Sequence, residues 1–169
     1  MPQPQITLGG IPLVLHAGAP ELSEEAIGGE TLLRMSDGTG VPMTHWQKMA
    51  GSISGQGWMP PGLDGLDYSQ PMPLFSTQVN SMQGTGLVYS LPSTPRPDVE
   101  PWAFALLGDD WRATPCSTVA GVATVTAVAG AEAYQVWWMP VYSVKAQRPP
   151  KQQSSASATH SWSIPWEEI

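Results

Sequence analysis

At 169 residues the chain is long enough for one domain of ordinary size, or a compact domain with a small insertion. Charged residues make up 12% of it, about half the usual share, while 17 Gly and 18 Pro favour short strands and many turns over helices. The net charge of −7 argues against nucleic-acid binding, the single cysteine excludes an internal disulfide, and no apolar run approaches the roughly 20 residues needed to span a bilayer.

The start MPQPQ lacks the basic region of a signal peptide, so the expectation is a protein made in a cytoplasm and not inserted in a membrane. Two apolar runs, Ile6 to Leu8 and Ile11 to His16, flank Gly9-Gly10 and predict a hairpin, with Pro12 assigning one strand to an edge. Ala17 to Gly29 reads as a surface loop. Glu30 to Ser36 and Val41 to Thr44 are two strands joined by an Asp37-Gly38 turn, and Trp46 to Ile53 continues the second.

From Gly51 to Tyr68 the composition changes. Pro60-Pro61 removes two backbone donors, Gly55, Gly57, Gly62 and Gly65 permit tight turns, and Trp58, Met59, Leu63 and Leu66 carry enough apolar surface to pin the loop against something. Pro73 to Met82 reads as a strand, Gly84 to Gly86 as a turn and Leu87 to Leu91 as the return. Pro92, Pro95 and Pro97 then make the most linker-like segment in the chain.

In the second half, Trp102 to Leu107 and Trp111 to Thr114 are strands about a Gly108-Asp109-Asp110 turn. Ser117 to Val128 alternates as one strand, and Ala133 to Lys145 returns with a bulge or edge at Pro140. Residues 146–158 have almost no apolar side chains and read as mobile, before SWSIPWEEI regains strand character. The fold class is therefore all-β, a sandwich or split β-barrel with long Gly/Pro-rich loops and little helix. The organisation predicted is an N-terminal β lobe over 1–91, a connection over 92–100 and a C-terminal β lobe over 101–169, or one continuous domain.

Little in the sequence carries catalytic chemistry. His16, His45 and His160 have no metal-ligand spacing, and Asp64 and Asp67 lack the further oxygens a calcium loop needs, which leaves them as turn aspartates. In GSISG the place of a nucleophilic serine is taken by Ile53. Cys116 reads as a buried thiol, and the glycines at 55, 57, 62 and 65 do not make a dinucleotide fingerprint. Lys145, Arg148 and Lys151 are the only clustered cations; they could touch phosphate, but read better as a solvated loop. No enzyme, cofactor or metal is expected.

Trp58, Trp102, Trp111, Trp137, Trp138, Trp162 and Trp166 could stack on sugar rings, which keeps a carbohydrate-binding module open. Trp137 and Trp138, being adjacent in a strand, must point to opposite faces, so at least one is core or interface.

The segment Leu33 to Tyr68 resembles the core of small tail proteins of long-tailed bacteriophages. The resemblance lies in its Asp-Gly turn, its Trp46-x-Lys48 strand and its run GxGWxPPGLDGLDY. AVAGAEAYQVWWMPVYSV and the terminal SWSIPWEEI are similar to phage tail-tip proteins whose last strand ends in a Glu-Glu pair. The resemblance implies a non-enzymatic virion protein of the tail, like the distal tail proteins that form a ring between tail tube and baseplate hub. A head-to-tail connector or tail-terminator ring is the alternative. The partners implied are further copies of itself and the neighbouring tube and tip proteins. Trp58, Met59, Pro60, Pro61 and Leu63 are the candidate interface, since interface cores favour Trp and Met over charge.

Overall fold

The computed structural model describes residues 3–169; Met1 and Pro2, part of the N-terminal stretch considered above, lie outside them. The strands in chain order are β1 (Thr7–Leu8), β2 (Ile11–Pro12), β3 (Glu21–Arg34), β4 (Gly40–Gly57), β5 (Met72–Phe75), β6 (Asn80–Gly84) and β7 (Val88–Ser90). They continue as β8 (Trp102–Leu107), β9 (Asp110–Thr114), β10 (Cys116–Val119), β11 (Val122–Val125), β12 (Ala133–Trp138), β13 (Val141–Ala146), β14 (Gln152–Ser154) and β15 (Thr159–Glu168). Among the described residues the one helical element is a single 3-10 turn at Leu15–Ala17. The protein is all-β, and its antiparallel sheets stay open instead of closing into a barrel.

The chain divides into two compact units, residues 1–12 with 73–142 and residues 13–72 with 143–169. Each is assembled from both halves of the sequence, so the boundary falls elsewhere than the proline-rich 92–100. That segment belongs to the first unit and is fastened there by its polar residues. Arg96, 2% exposed, donates to the carbonyls of Ser76 (2.9 Å) and Gln5 (3.1 Å) and makes a two-pronged bond to Asp98 (2.7 Å each). Its guanidinium carbon also lies 5.3 Å from the centre of the Phe75 ring. The Trp138 indole donates to Ser93 Oγ at 2.9 Å. Prolines remove donors without removing carbonyls or neighbours, and here the neighbours hold the segment.

The first unit is a small sandwich. The sheet β6-β12-β8-β9 presents Ala103, Ala105, Tyr134 and Val136 to Tyr89, Ala123 and Val125 of the sheet β10-β11-β7. The long alternating run predicted over 117–128 is broken into the hairpin β10–β11 at Ala120-Gly121, where both residues take positive φ (49° and 78°). Alternation alone could not reveal a turn built on one glycine. The Gly9-Gly10 hairpin forms as predicted, with Leu8 opposite Ile11 and Pro12 on the edge strand.

The second unit is built on β4. Its N-terminal neighbour is β3, so the stretch 17–29, predicted as surface loop, is mostly strand, and the predicted short strands become a hairpin of 14 and 18 residues. On its other side β4 pairs with β15, from His160 opposite Gly57 to Glu167 opposite Ala50. The glycines predicted to make turns at 55 and 57 are therefore inside a strand. Gly51 sits opposite Trp166, Ile53 opposite Ile164 and Gly55 opposite Trp162. Trp162, Ile164 and Trp166 are all buried, and a Cβ on Gly55 would stand 2.6 Å from Trp162 Cζ2. The two indoles lie over backbone that carries no side chain. Residues 152–154, inside the stretch read as mobile, form β14 and pair with Thr159 to Ser161.

Three outcomes test these arrangements. Gly55→Val drives a branched side chain into the Trp162 ring and lowers stability by about 2 kcal/mol or more in chemical denaturation, the cost of overpacking a filled site. Arg96→Ala costs about 3 kcal/mol, because buried carbonyls and a carboxylate lose their donor. The hydrogen bond from Arg96 holds the Asp98 carboxyl below its usual range. A depressed folded-state pKa adds stability above the unfolded value of about 3.9, and that stability is lost as pH falls below it. Thermal melts of the wild type therefore fall more steeply below about pH 4 than those of Arg96→Ala.

Candidate functional site

Two surfaces of the second unit stand out once its core is accounted for. The first is the predicted interface loop. Trp58 is 64% exposed and Met59 38%, Pro60 is exposed and Pro61 half-buried, whereas Leu63 is 2% exposed. Leu63 is thus a correction to the candidate set: its side chain belongs to the unit's own core, and it anchors the loop that lifts Trp58 outward. Trp58 packs at a tilt against His16, ring centres 5.6 Å apart, and the Met59 N–H donates to the His16 carbonyl at 3.2 Å.

The rest of the loop is tied down by the three clustered cations. Lys145 Nζ donates to the Ser69 carbonyl (2.6 Å), Arg148 to the Asp64 carbonyl (3.3 Å) while lying over the Tyr68 ring, and Lys151 to the Asp64 carboxylate (2.8 Å). Tyr68 Oη donates to the Leu63 carbonyl at 3.0 Å. All three cations are exposed, as expected of a solvated segment, and each donates to the neighbouring loop. Asp67 is a turn aspartate, accepting from the Ser69 N–H and hydroxyl at 2.9 and 2.6 Å. The bond from Lys151 lowers the pKa of Asp64, and those from Ser69 lower that of Asp67, so both are ionised acceptors.

Beside this loop runs a groove of about 360 Å³, walled by Pro60, Pro61, Pro149 and Pro150, with Trp162 and His160 also lining it. Of the other histidines, His16 packs on Trp58 and His45 is exposed on β4. Among the described residues no group of three or more His, Cys, Asp or Glu is arranged to hold a metal ion. Cys116 is half-buried and its thiol pKa is pushed up by desolvation, which disfavours a nucleophilic thiolate.

Composition did not disclose the second surface. Every residue from 30 to 47 is exposed, on both faces of the β3–β4 hairpin. Leu32 (55%), Leu33 (52%), Met35 (59%), Val41 (40%), Met43 (38%) and Trp46 (50%) lie in this arm. It begins where β15 ends: the Met49 N–H donates to Glu168 Oε2 at 2.9 Å, and beyond that β4 has only β3 beside it. An irregularity between Gly28 and Glu30 sets Gly29 against both His45 and Trp46 and marks the root. The signal available in the sequence was the pair of apolar runs 31–35 and 41–46 about a turn; what hid the arm was reading 17–29 as loop, which left no base for it.

The tryptophans divide cleanly. Trp138, Trp162 and Trp166 are core, Trp46, Trp58 and Trp111 are exposed, and Trp137 lies on the opposite face of β12 from Trp138, as adjacency in a strand requires. Trp137 packs against Trp102 and edge-on to Phe104, at 6.1 and 5.2 Å between centres.

No family model, no curated protein and no solved structure matches the chain.

The division of roles within the loop is testable. Trp58→Ser leaves stability within about 0.5 kcal/mol of wild type, as for an exposed position, while Leu63→Ala costs about 2 to 5 kcal/mol. Urea denaturation of the two variants reads the difference directly.

Proposed function

We propose that this protein is a non-enzymatic structural subunit of a bacteriophage tail, which assembles with copies of itself into a ring joining the tail tube to tail-tip or baseplate proteins. The observation that carries the reading is the loop bearing Trp58, Met59 and Pro60. These apolar residues are turned outward where the Met59 N–H is held by the His16 carbonyl, and the chain that follows is anchored by buried Leu63 and bonded at residues 63–69 by Tyr68 and three exposed cations. An apolar surface on a rigid support costs little to order when a partner covers it, the property wanted of a contact used many times in one assembly. A ring closes through a heterologous contact, one patch of each subunit against a different patch of the next, so the rim needs no self-complementarity. The resemblance of residues 33–68 and of the C-terminal strands to tail proteins supplies the biological setting. A connector or tail-terminator ring uses the same physical features and is the alternative within this class.

Glycan binding is the competing class, and Trp111, 41% exposed on β9, is the feature that favours it. Light scattering across a concentration series separates the two, with electron microscopy of any large species. The structural reading predicts a discrete annular oligomer that Trp58→Ser/Met59→Ser reduces to smaller species with an unchanged melting temperature. Tryptophan emission that shifts with added oligosaccharide, from a protein that forms no ring, would transfer the assignment to glycan binding.

A further inference from the structure

The β3–β4 arm has two outer edges, and they are not equivalent. The Met35 N–H donates to the Thr39 carbonyl at 2.9 Å, and Gly38, at φ 86°, completes a three-residue turn. Hydrogen-bonded and non-hydrogen-bonded pairs alternate along an antiparallel ladder. Arg34 opposite Gly40, Leu32 opposite Pro42 and Glu30 opposite Thr44 are then the non-bonded pairs, and their backbone groups point away from the hairpin. On the β4 side this places the nitrogen of Pro42 on the outer edge, where a missing donor leaves the hairpin intact but blocks addition of another strand. On the β3 side Glu30, Leu32 and Arg34 present a full row of donors and acceptors, and β3 is the last strand of its sheet.

We propose that two copies of this chain pair arm to arm through the outer edge of β3, antiparallel, about a two-fold axis at Leu32. This goes beyond the ring reading and uses a different surface from the Trp58 rim. The register sets Leu32 against Leu32 and Glu30 of each copy against Arg34 of the other, all through outward-pointing backbone groups. Opposite charges directly across a strand pair attract. Arg34 also donates Nη1 to the Gly38 carbonyl at 3.1 Å, which leaves further guanidinium donors for the carboxylate. An axis at Glu30 would set carboxylate against carboxylate, and one at Thr31 would leave Glu30 opposite Leu32 and Arg34 opposite Gly28. The edge is therefore self-complementary in one register within the arm.

The paired arms make a four-stranded sheet, β4-β3-β3-β4, in which Thr31, Leu33, Val41 and Met43 of both copies share one face. A lone two-stranded ribbon is marginal in water, and four strands with an apolar face are not. A two-fold contact is isologous, whereas a ring contact is heterologous; a molecule carrying both builds two rings joined across two-fold axes.

Charge exchange tests the pairing on exposed side chains, with circular dichroism to confirm folding. Sedimentation of Glu30→Arg and of Arg34→Glu should each show dimerisation weakened by at least about tenfold, the sum of two like-charge pairs. The double variant Glu30→Arg/Arg34→Glu should restore it. In a Cys116→Ser background, Leu32→Cys should form a disulfide-linked dimer under mild oxidation, because the hydrogen-bonded pair holds Cα atoms about 5.5 Å apart, within disulfide range. Thr44→Cys, on the blocked edge, should not. A monomeric wild type at every concentration, single reversals without effect, a double variant that fails to recover, or equal cross-linking at Thr44 each overturns the proposal. Loss of rings in Trp58→Ser/Met59→Ser with the arm dimer intact would separate the two contacts. Arm-dependent dimers that never form rings would overturn the ring reading and leave the arm pairing standing.

Discussion

The second unit depends on two indoles seated over two glycines. Trp162 and Trp166 of β15 face Gly55 and Gly51 of β4, with Ile164 over Ile53 between them. A Cβ on Gly55 would enter the space of the Trp162 ring, and one on Gly51 would meet the Ser23 carbonyl of β3 first, with the Trp166 ring 3.0 Å away. Glycine in a strand costs conformational entropy and offers no packing of its own, so it persists here because the facing tryptophan supplies the surface. This contact joins residues more than a hundred positions apart and fixes β4 as the axis of the unit. The Trp162 indole N–H extends the same contact to the Ala17 carbonyl at 2.8 Å, beside the Trp58 loop.

Both exposed apolar surfaces follow from that axis. Where β15 ends against Glu168, β4 runs on with β3 alone and becomes the arm. Past its other end at Gly57 the chain turns at once into the Trp58 loop, whose inner side is held by Leu63 and whose flank is held by Lys145, Arg148 and Lys151. Three of the few cations in the chain donate to this one loop from exposed positions. Rigidity behind an apolar rim is what distinguishes a surface prepared for a partner from a loosely exposed one.

The fold class was legible because Gly, Pro and short alternating runs dominate the sequence, and β8, β9 and β15 lay close to where they were read, whereas 117–128 and 133–145, each read as one strand, are each two, the second pair divided between two sheets at Pro140. Three features were not legible, each for a physical reason. Gly55 and Gly57 looked like turn residues because the strand that pairs with them, β15, lies at the far end of the chain. The proline-rich 92–100 looked like a linker because nothing local shows that Arg96 is buried and satisfied by distant carbonyls. Residues 152–154 looked mobile because a strand of Gln and Ser carries no hydrophobic signal, and it is held by pairing with β15 alone. In the candidate site, the outward Trp58, Met59 and Pro60 were recognisable by composition, but Leu63 was indistinguishable from them without knowing which way the loop faces.

The central claim, that the second unit carries apolar surfaces prepared for copies of itself, is tested most directly by hydrogen exchange on the wild-type protein at low and high concentration. Slowed exchange that appears with concentration at residues 28–47 and 58–61, accompanied by the one further patch that receives the rim of the neighbouring copy, is the result the account predicts. Exchange that does not depend on concentration, or protection that appears instead around Trp111 on β9, would contradict it.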